Sequence, residues 1–221
     1  RLDIKNRGKL PADAEDRVIK ALRGLLPQVH AVIVADQVAE ADFGVITERV
    51  RDELAALAQT YGEVPFVADS RERIGLFQNL LIKPNAREAV RAVDREARWR
   101  GDPDPDWEAD RELIESAGER LYRRNGQPVF LTLGQHGILA FHADGPTLVP
   151  AARQTGPLDI VGAGDAAMAG LTAALCAGAT VPEAAELGCL AAGVTVRQVG
   201  TTGTATRRQI LDLRREGNAA S

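Results

Sequence analysis

The feature that most constrains the fold is a series of short apolar runs that alternate with helical stretches. The runs are AVIVAD (31–36), PFVAD (65–69), LLIKPN (80–85) and VFLTLG (129–134). Strands that alternate with helices predict βαβ units and a mostly parallel sheet covered on both faces. Such sheets bind ligands at the carboxyl ends of their strands. Polar residues gather at those ends here, namely Asp36, Asp69, Arg71, Lys83, Asn85, Thr132, Asp159 and Asp165.

The remaining segments predict helices and one hairpin. Apolar periodicity predicts helices over 12–26 and 46–60, with Thr47 as a candidate cap, a further helix from Ala86, and another that ends near Gly126. The runs 138–143 and 147–151 predict a hairpin. Three more helices are predicted over 163–177, 182–196 and 206–215.

Composition excludes several classes of protein. The chain has 221 residues and a net charge of −4, which argues against a dedicated nucleic-acid surface. No apolar run approaches the roughly 20 residues of a membrane span, and no signal peptide is visible. Cys176 and Cys189 are not at metal-ligand spacing, so we expect two buried thiols in a cytoplasmic protein.

The stretch LDIVGAGDAAMAGLTAAL (158–175) has two interpretations. Gly162 and Gly164, with Ala167, match the dinucleotide fingerprint G-x-G-x-x-G/A if LDIV is its strand. That interpretation requires an acidic residue at the end of a following strand, whereas helices follow here. It predicts a dinucleotide-binding oxidoreductase.

In the second interpretation the same turn is an anion cradle. Backbone N–H groups of Gly162, Ala163 and Gly164 would converge at a helix N-terminus, whose partial charge favours a phosphate. A carboxylate at Asp165 would take the proton from an attacking hydroxyl. A plain strand-to-helix turn with an acid in its first turn remains the purely structural alternative.

Three ordered segments resemble the PfkB, or ribokinase-like, carbohydrate kinases. DIVGAGDAAMAG is similar to the C-terminal signature of that family, KPNAREA (83–89) to its N-x-x-E motif, and VFLTLGQHGILAF (129–141) to its T-x-G-x-x-G segment. The segment from 191 onward is like the helix and loop that flank the adenine. Within the family, the resemblance is nearest to the heptose-phosphate kinase branch.

The resemblance implies a role for each matching residue. Asp165 would be the general base, and Gly162, Ala163 and Gly164 would form the anion hole with it. Asn85 and Glu88 would hold Mg²⁺. The residues implied for ATP are Thr132, Gly134, Gly137, Asp159, Ala192 and Val196. The implied activity is ATP-dependent phosphorylation of a hydroxyl on a sugar or sugar phosphate, and the implied assembly is a homodimer.

The chain also departs from the family pattern. Ile160 stands where a small polar residue is usual, and Cys189 stands where an asparagine near the adenine is common. The family chain extends further at its N-terminus. We therefore expect residues 1–221 to be the C-terminal portion of a kinase domain: a three-layer α/β/α sandwich without the first strands and the β-sheet lid. A non-catalytic nucleotide-binding relative is the alternative function.

Overall fold

One six-stranded sheet organises the part of the chain that the computed structural model describes, residues 6–101 and 104–219. Asp102 and Pro103 lie outside the described residues. The strands are β1 (Val32–Asp36), β2 (Phe66–Ser70), β3 (Leu81–Ile82), β4 (Val129–Thr132), β5 (Ile138–Phe141) and β6 (Thr147–Val149). They lie side by side in chain order, β1 to β4 parallel and β5 and β6 antiparallel. The mostly parallel sheet and the predicted hairpin are confirmed.

Seven helices connect and cover these strands in the described residues. They are α1 (Ala12–Leu25), α2 (Glu48–Thr60), α3 (Ala86–Val93), α4 (Arg111–Asn125), α5 (Ala163–Cys176), α6 (Val181–Val196) and α7 (Arg207–Ala219). Local chemistry sets several of their ends. The Thr47 hydroxyl accepts the N–H of Val50 at 3.3 Å, which caps α2 as predicted. Gly126 ends α4 with a φ of 73°, a conformation that glycine adopts without strain.

The two faces of the sheet bury different side chains. On one face, Phe66, Ile82 and Leu131 pack in a core formed with α1 to α4. On the other face, Phe130 and other apolar residues of the sheet pack against Met168 and others from α5 and α6. The expected α/β/α layers are therefore present. No helix among the described residues is long and apolar enough to cross a membrane.

The sheet is incompletely covered at β1. Ile33 pairs with Val67, and Val67 is fully buried, yet 49% of Ile33 is exposed to solvent. No strand in the described part of the chain pairs with the outer edge of β1. A partly exposed face and one of the two open edges of the sheet therefore lie at β1.

Three predictions from the sequence were wrong in detail. The segment Leu158–Val161 forms no strand, because it has no neighbour to pair with, and Ile160 is 80% exposed. The third apolar run forms only the two residues of β3, since Pro84 has no N–H and Asn85 begins the next helix. Cys176 is exposed rather than buried, although its thiol donates to the carbonyl of His30 at 3.3 Å.

Candidate active site

The carboxyl ends of the parallel strands bring polar side chains to one edge of the sheet. The Lys83 amine, just after β3, lies 3.2 Å from a carboxylate oxygen of Asp69 at the end of β2. The side chains of Lys83 and Asp69 are only 5% and 15% exposed. Buried charges persist when they are paired, so this pair is a fixed part of the edge. The sequence placed Lys83 among the polar strand ends but gave it no function.

Helix α5 begins directly beside that pair. A Cβ built on Gly164 would lie 3.8 Å from the Lys83 amine. Gly162 precedes the helix with a φ of 82°. A Cβ built on Gly162 would lie 3.3 Å from the side chain of Thr202. This backbone conformation strains residues with a side chain, which explains a glycine there. A lysine charge and a helix N-terminus thus lie next to each other.

The first turn of α5 has no side-chain cap. The N–H of Ala163 donates to the carbonyl of Ile160 at 3.2 Å, so it is used within the turn. The N–H groups of Gly162, Gly164 and Asp165 find no acceptor among the described residues. Unsatisfied N–H groups at a helix start carry partial positive charge and favour an anion. Asp165 is exposed in this turn.

Asp159 holds the turn against the loop that follows α6. Its carboxylate accepts N–H groups from Val161 at 3.0 Å and from Gly200 at 3.1 Å. These hydrogen bonds, Val161 first and then Gly200, lower the pKa of Asp159 below its usual range. The N–H of Asp159 also donates to the carbonyl of Val196 at 2.9 Å. The structure therefore gives Asp159 a role in shaping the turn.

Helix α3 begins at the same edge with its first turn closed. The Asn85 side-chain oxygen accepts the N–H of Glu88, and the Glu88 carboxylate accepts the N–H of Asn85, both at 2.8 Å. This is a reciprocal capping box. Burial raises the pKa of Glu88, with Asp69 adding to the effect, and the Asn85 N–H, Lys83 and Arg71 oppose it. A capping box explains an N-x-x-E sequence without any ligand, a role that the sequence interpretation missed.

The connection between β4 and β5 begins next to Asn85. The N–H of Thr132 donates to the carbonyl of Pro84 at 2.8 Å, and Thr132 bridges to Asn85. Gly134 has a φ of 57° in the exposed turn that follows. Gly137 has a φ of 103°, and a Cβ there would meet the backbone of Val149 and Ala151. Close packing against this backbone therefore requires a glycine at position 137.

The residues predicted near the adenine lie on α6. Ala192 is half-buried and Val196 is the last residue of that helix, where its carbonyl meets Asp159. Cys189 is on the same helix but points into the core, where its thiol approaches the carbonyl of Val149 at 3.8 Å. Burial raises the pKa of the Cys189 thiol to about 12, so it stays protonated at neutral pH.

Comparison with solved structures defines the fold class first. Phosphofructokinase-2 from Escherichia coli matches with a TM-score of 0.69 at 16% identity, covering 95% of this chain and 64% of that one. Ribokinase from Arabidopsis thaliana, solved with ribose and ATP, matches with a TM-score of 0.63 at 17% identity, covering 93% and 59%. The chain therefore has the ribokinase-like α/β fold, as predicted.

The family follows from the sequence. Residues 45–207 match the pfkB family carbohydrate kinase, so the chain belongs to that family. It is 26% identical over 217 residues to the bifunctional protein HldE of Paramagnetospirillum magneticum and 30% identical over 202 residues to that of Shewanella baltica. The alignments cover 98% and 89% of this chain but 42% and 38% of those proteins. The chain thus spans about two fifths of these relatives. Membership of this family argues against the dinucleotide fingerprint interpretation. The strand that the fingerprint requires, Leu158–Val161, is also absent.

Proposed function

We propose that this chain carries the phosphoryl-transfer site of an ATP-dependent kinase that phosphorylates a hydroxyl of a sugar or sugar phosphate. The observation that carries the proposal is the uncapped start of α5, with the Lys83 amine beside Gly164 and the exposed carboxylate of Asp165 in the same turn. A cation and open N–H groups fit a phosphate, and a carboxylate beside them fits a proton acceptor. Family membership supports the same chemistry.

In the proposed reaction the acceptor oxygen attacks the γ-phosphorus of ATP. A new oxygen–phosphorus bond forms, the bond to the β-phosphate oxygen breaks, and ADP leaves. Asp165 takes the proton of the attacking hydroxyl. The open N–H groups of Gly162, Gly164 and Asp165 bind the oxygens of the migrating group. Ala163 belongs to the same turn, but its own N–H is used internally. Phosphoryl transfer depends mainly on such positioning and charge stabilisation.

The nucleotide would lie on the β4 and α6 side of that turn. Thr132, Gly134 and Gly137 would line its phosphates and ribose, while Ala192 and Val196 would flank the base. Asp159 would act through the turn that it shapes, since its carboxylate already binds two N–H groups. This arrangement leaves the β1 and β2 side of the edge for the acceptor.

Asn85 and Glu88 fit a magnesium ion. Both offer hard oxygen donors, and each keeps an acceptor position beyond the capping box. Burial raises the pKa of Glu88, against the effect of Lys83 and Arg71, so a cation bound beside its carboxylate would favour the charged form. When bound, Mg²⁺ would neutralise charge on the phosphates of the nucleotide. A cytoplasmic location and a homodimer also remain proposals.

Substitution of the proposed base tests the function. We expect Asp165→Asn to lower phosphoryl transfer to a panel of sugars and sugar phosphates at least about a hundredfold, with nucleotide affinity nearly unchanged. Asp144→Asn is the matched control, because Asp144 is an exposed carboxylate on the β5–β6 hairpin turn. Turnover by Asp165→Asn above about a hundredth of wild type would contradict the assignment.

A non-catalytic nucleotide-binding function is the second candidate. It is favoured by Ile160, an 80% exposed apolar residue beside the phosphate turn, and by the internal use of the Ala163 N–H. Bound ATP without turnover on any acceptor would support it.

A further inference from the structure

The end of α3 that lies away from the candidate site concentrates positive charge. Helix α3 begins beside that site and ends at Val93. A turn follows, in which the N–H of Ala97 donates to the carbonyl of Asp94 at 3.4 Å. Exposed arginines of α3, of this turn and of α4 surround the end of the helix. These arginines form the basic patch, which consists of Arg91, Arg95, Arg98, Arg120 and Arg124.

Contacts between elements bring the arginines of the basic patch together. The guanidinium of Arg120, on α4, donates to the carbonyl of Val93 at 3.1 Å. One turn further along α4, the guanidinium of Arg124 donates to the carbonyl of Gly75. The guanidinium of Arg91 lies 5.8 Å from the centre of the Trp99 ring, so the chain after α3 turns back beside that helix. The patch is therefore one surface rather than a set of scattered side chains.

The charge of this surface is not neutralised within the protein. Among the described residues, no carboxylate forms an ion pair with an arginine of the basic patch, whereas the neighbouring Arg123 pairs with Glu119 at 2.7 Å. The turn itself contains two acids, and the Asp94 carboxylate accepts the N–H of Glu96 at 3.0 Å. The arginines outnumber these acids. The patch is thus positive on a chain whose net charge is −4.

We propose that the basic patch docks this protein on the surface of an anionic lipid bilayer. Each arginine or lysine close to an anionic membrane strengthens binding about fivefold, and a cluster of such residues makes the contact stable. The patch lies at one end of α3 and the candidate site at the other, so a flat surface can contact the patch and leave the site open to solvent.

Nucleic acid is the other polyanion that a basic surface could bind. Single strands bind to basic grooves in which exposed aromatic rings stack on the bases. Trp99, the aromatic residue of this turn, is half-buried and has the guanidinium of Arg91 over its ring. The surface therefore offers charge without a stacking platform, which favours the lipid headgroups.

Co-sedimentation with vesicles tests the proposal, with phosphatidylcholine alone and with an equal mixture of phosphatidylcholine and phosphatidylglycerol. We expect the wild type to bind the mixed vesicles at low ionic strength and to leave them at high ionic strength. Arg95→Gln/Arg98→Gln should weaken this binding about twentyfold, because two fivefold effects multiply. Lys20→Gln/Arg207→Gln is the matched control and should keep the wild-type affinity. Both of its residues are exposed, lie outside the patch and form no ion pair with a described carboxylate.

A gain of affinity separates a charge effect from a damaged fold. Glu96 is an exposed acid in the turn, so Glu96→Gln should strengthen binding to the mixed vesicles about fivefold. Weaker binding by Glu96→Gln would contradict the proposal. The same holds for equal binding of the wild type to both kinds of vesicle, for no binding, and for an equal loss in the control variant. Binding to a poly(U) oligonucleotide that depends on Arg95 and Arg98, without binding to vesicles, would assign the patch to nucleic acid instead.

Discussion

The starts of α3 and α5 lie at the same edge of the sheet, but they differ in how their N–H groups are used. Asn85 and Glu88 close the first turn of α3 with two reciprocal hydrogen bonds of 2.8 Å. The start of α5 has Gly162 in place of a capping side chain and leaves three N–H groups without a described acceptor. A cap on α5 would add stability of about 1 kcal/mol. The difference indicates that the first N–H groups of α3 are satisfied within the protein, whereas those of α5 are available to an anion.

A side chain at Gly162 should have the largest effect on stability. We expect Gly162→Ala to lower the free energy of unfolding by about 1–2 kcal/mol, because the left-handed backbone strains alanine. A new Cβ would also lie 3.3 Å from Thr202 and distort the turn, so nucleotide affinity should fall as well. Chemical denaturation and nucleotide titration measure the two effects.

Gly126→Ala is the control for that prediction. Gly126 has a φ of 73°, but a Cβ there would meet nothing within 4 Å. It should therefore lose similar stability and keep nucleotide affinity. Equal losses of affinity in both variants would show that the open turn of α5 is not specific to binding.

Removal of the closed cap should have the next largest effect. We expect Asn85→Ala to lower the free energy of unfolding by about 1 kcal/mol, since Glu88 loses the acceptor for its N–H. Thr180→Ala removes the cap of α6, which has the same reciprocal box with Glu183. Both variants should lose comparable stability in denaturant titrations, but only Asn85→Ala should weaken Mg²⁺-dependent nucleotide binding. If Thr180→Ala also weakened Mg²⁺-dependent nucleotide binding, a specific role of the α3 cap in that binding would be contradicted.

The two capping glutamates should respond to pH in opposite directions, which is the smallest effect. Burial raises the pKa of Glu88 above its ordinary value of 4.5, so its contribution to stability is present at low pH and is lost as pH rises through its pKa. Hydrogen bonds from the Thr180 N–H and hydroxyl lower the pKa of Glu183, so its contribution is lost as pH falls below 4.5. Denaturation between acidic and neutral pH should show opposite trends for Glu88→Gln and Glu183→Gln, each relative to wild type. Parallel trends would contradict the difference in burial.

Much of the fold was predictable because local patterns and global topology agree. Runs such as AVIVAD and PFVAD became β1 and β2 nearly as predicted, and Thr47 capped α2. The segment Leu158–Val161 was expected to be a strand and is not one. An apolar, β-branched run forms a strand only where it can pair with a neighbouring strand. The prediction that Cys176 is buried was wrong for a related reason. A helical pattern in the sequence does not indicate which residues of the helix other elements cover.

The site was predictable in its parts but not in its arrangement. The glycines and Asp165 were visible as a turn, yet the internal use of the Ala163 N–H depends on backbone geometry. The pairing of Lys83 with Asp69 joins two strands and becomes visible only when the register is known. A lysine inside the apolar run LLIKPN was the signal that could have found it, because a buried lysine requires a partner.

The central claim is that the open start of α5 binds the phosphates of an adenine nucleotide. The most direct measurement is thermal unfolding of wild type and of Gly164→Asp with saturating MgATP, MgADP, NAD or FAD. Gly164→Asp should fold well, because a Cβ there makes only an ordinary 3.8 Å contact with Lys83 and an acid suits a helix start. Its carboxylate would occupy the phosphate position.

A ligand at about 100 times its dissociation constant adds roughly 2.7 kcal/mol and raises the midpoint by a few degrees. The account predicts that rise for wild type with MgATP and MgADP, none with NAD or FAD, and none for Gly164→Asp with any nucleotide. An equal rise in both proteins, or a rise with NAD or FAD alone, would contradict it.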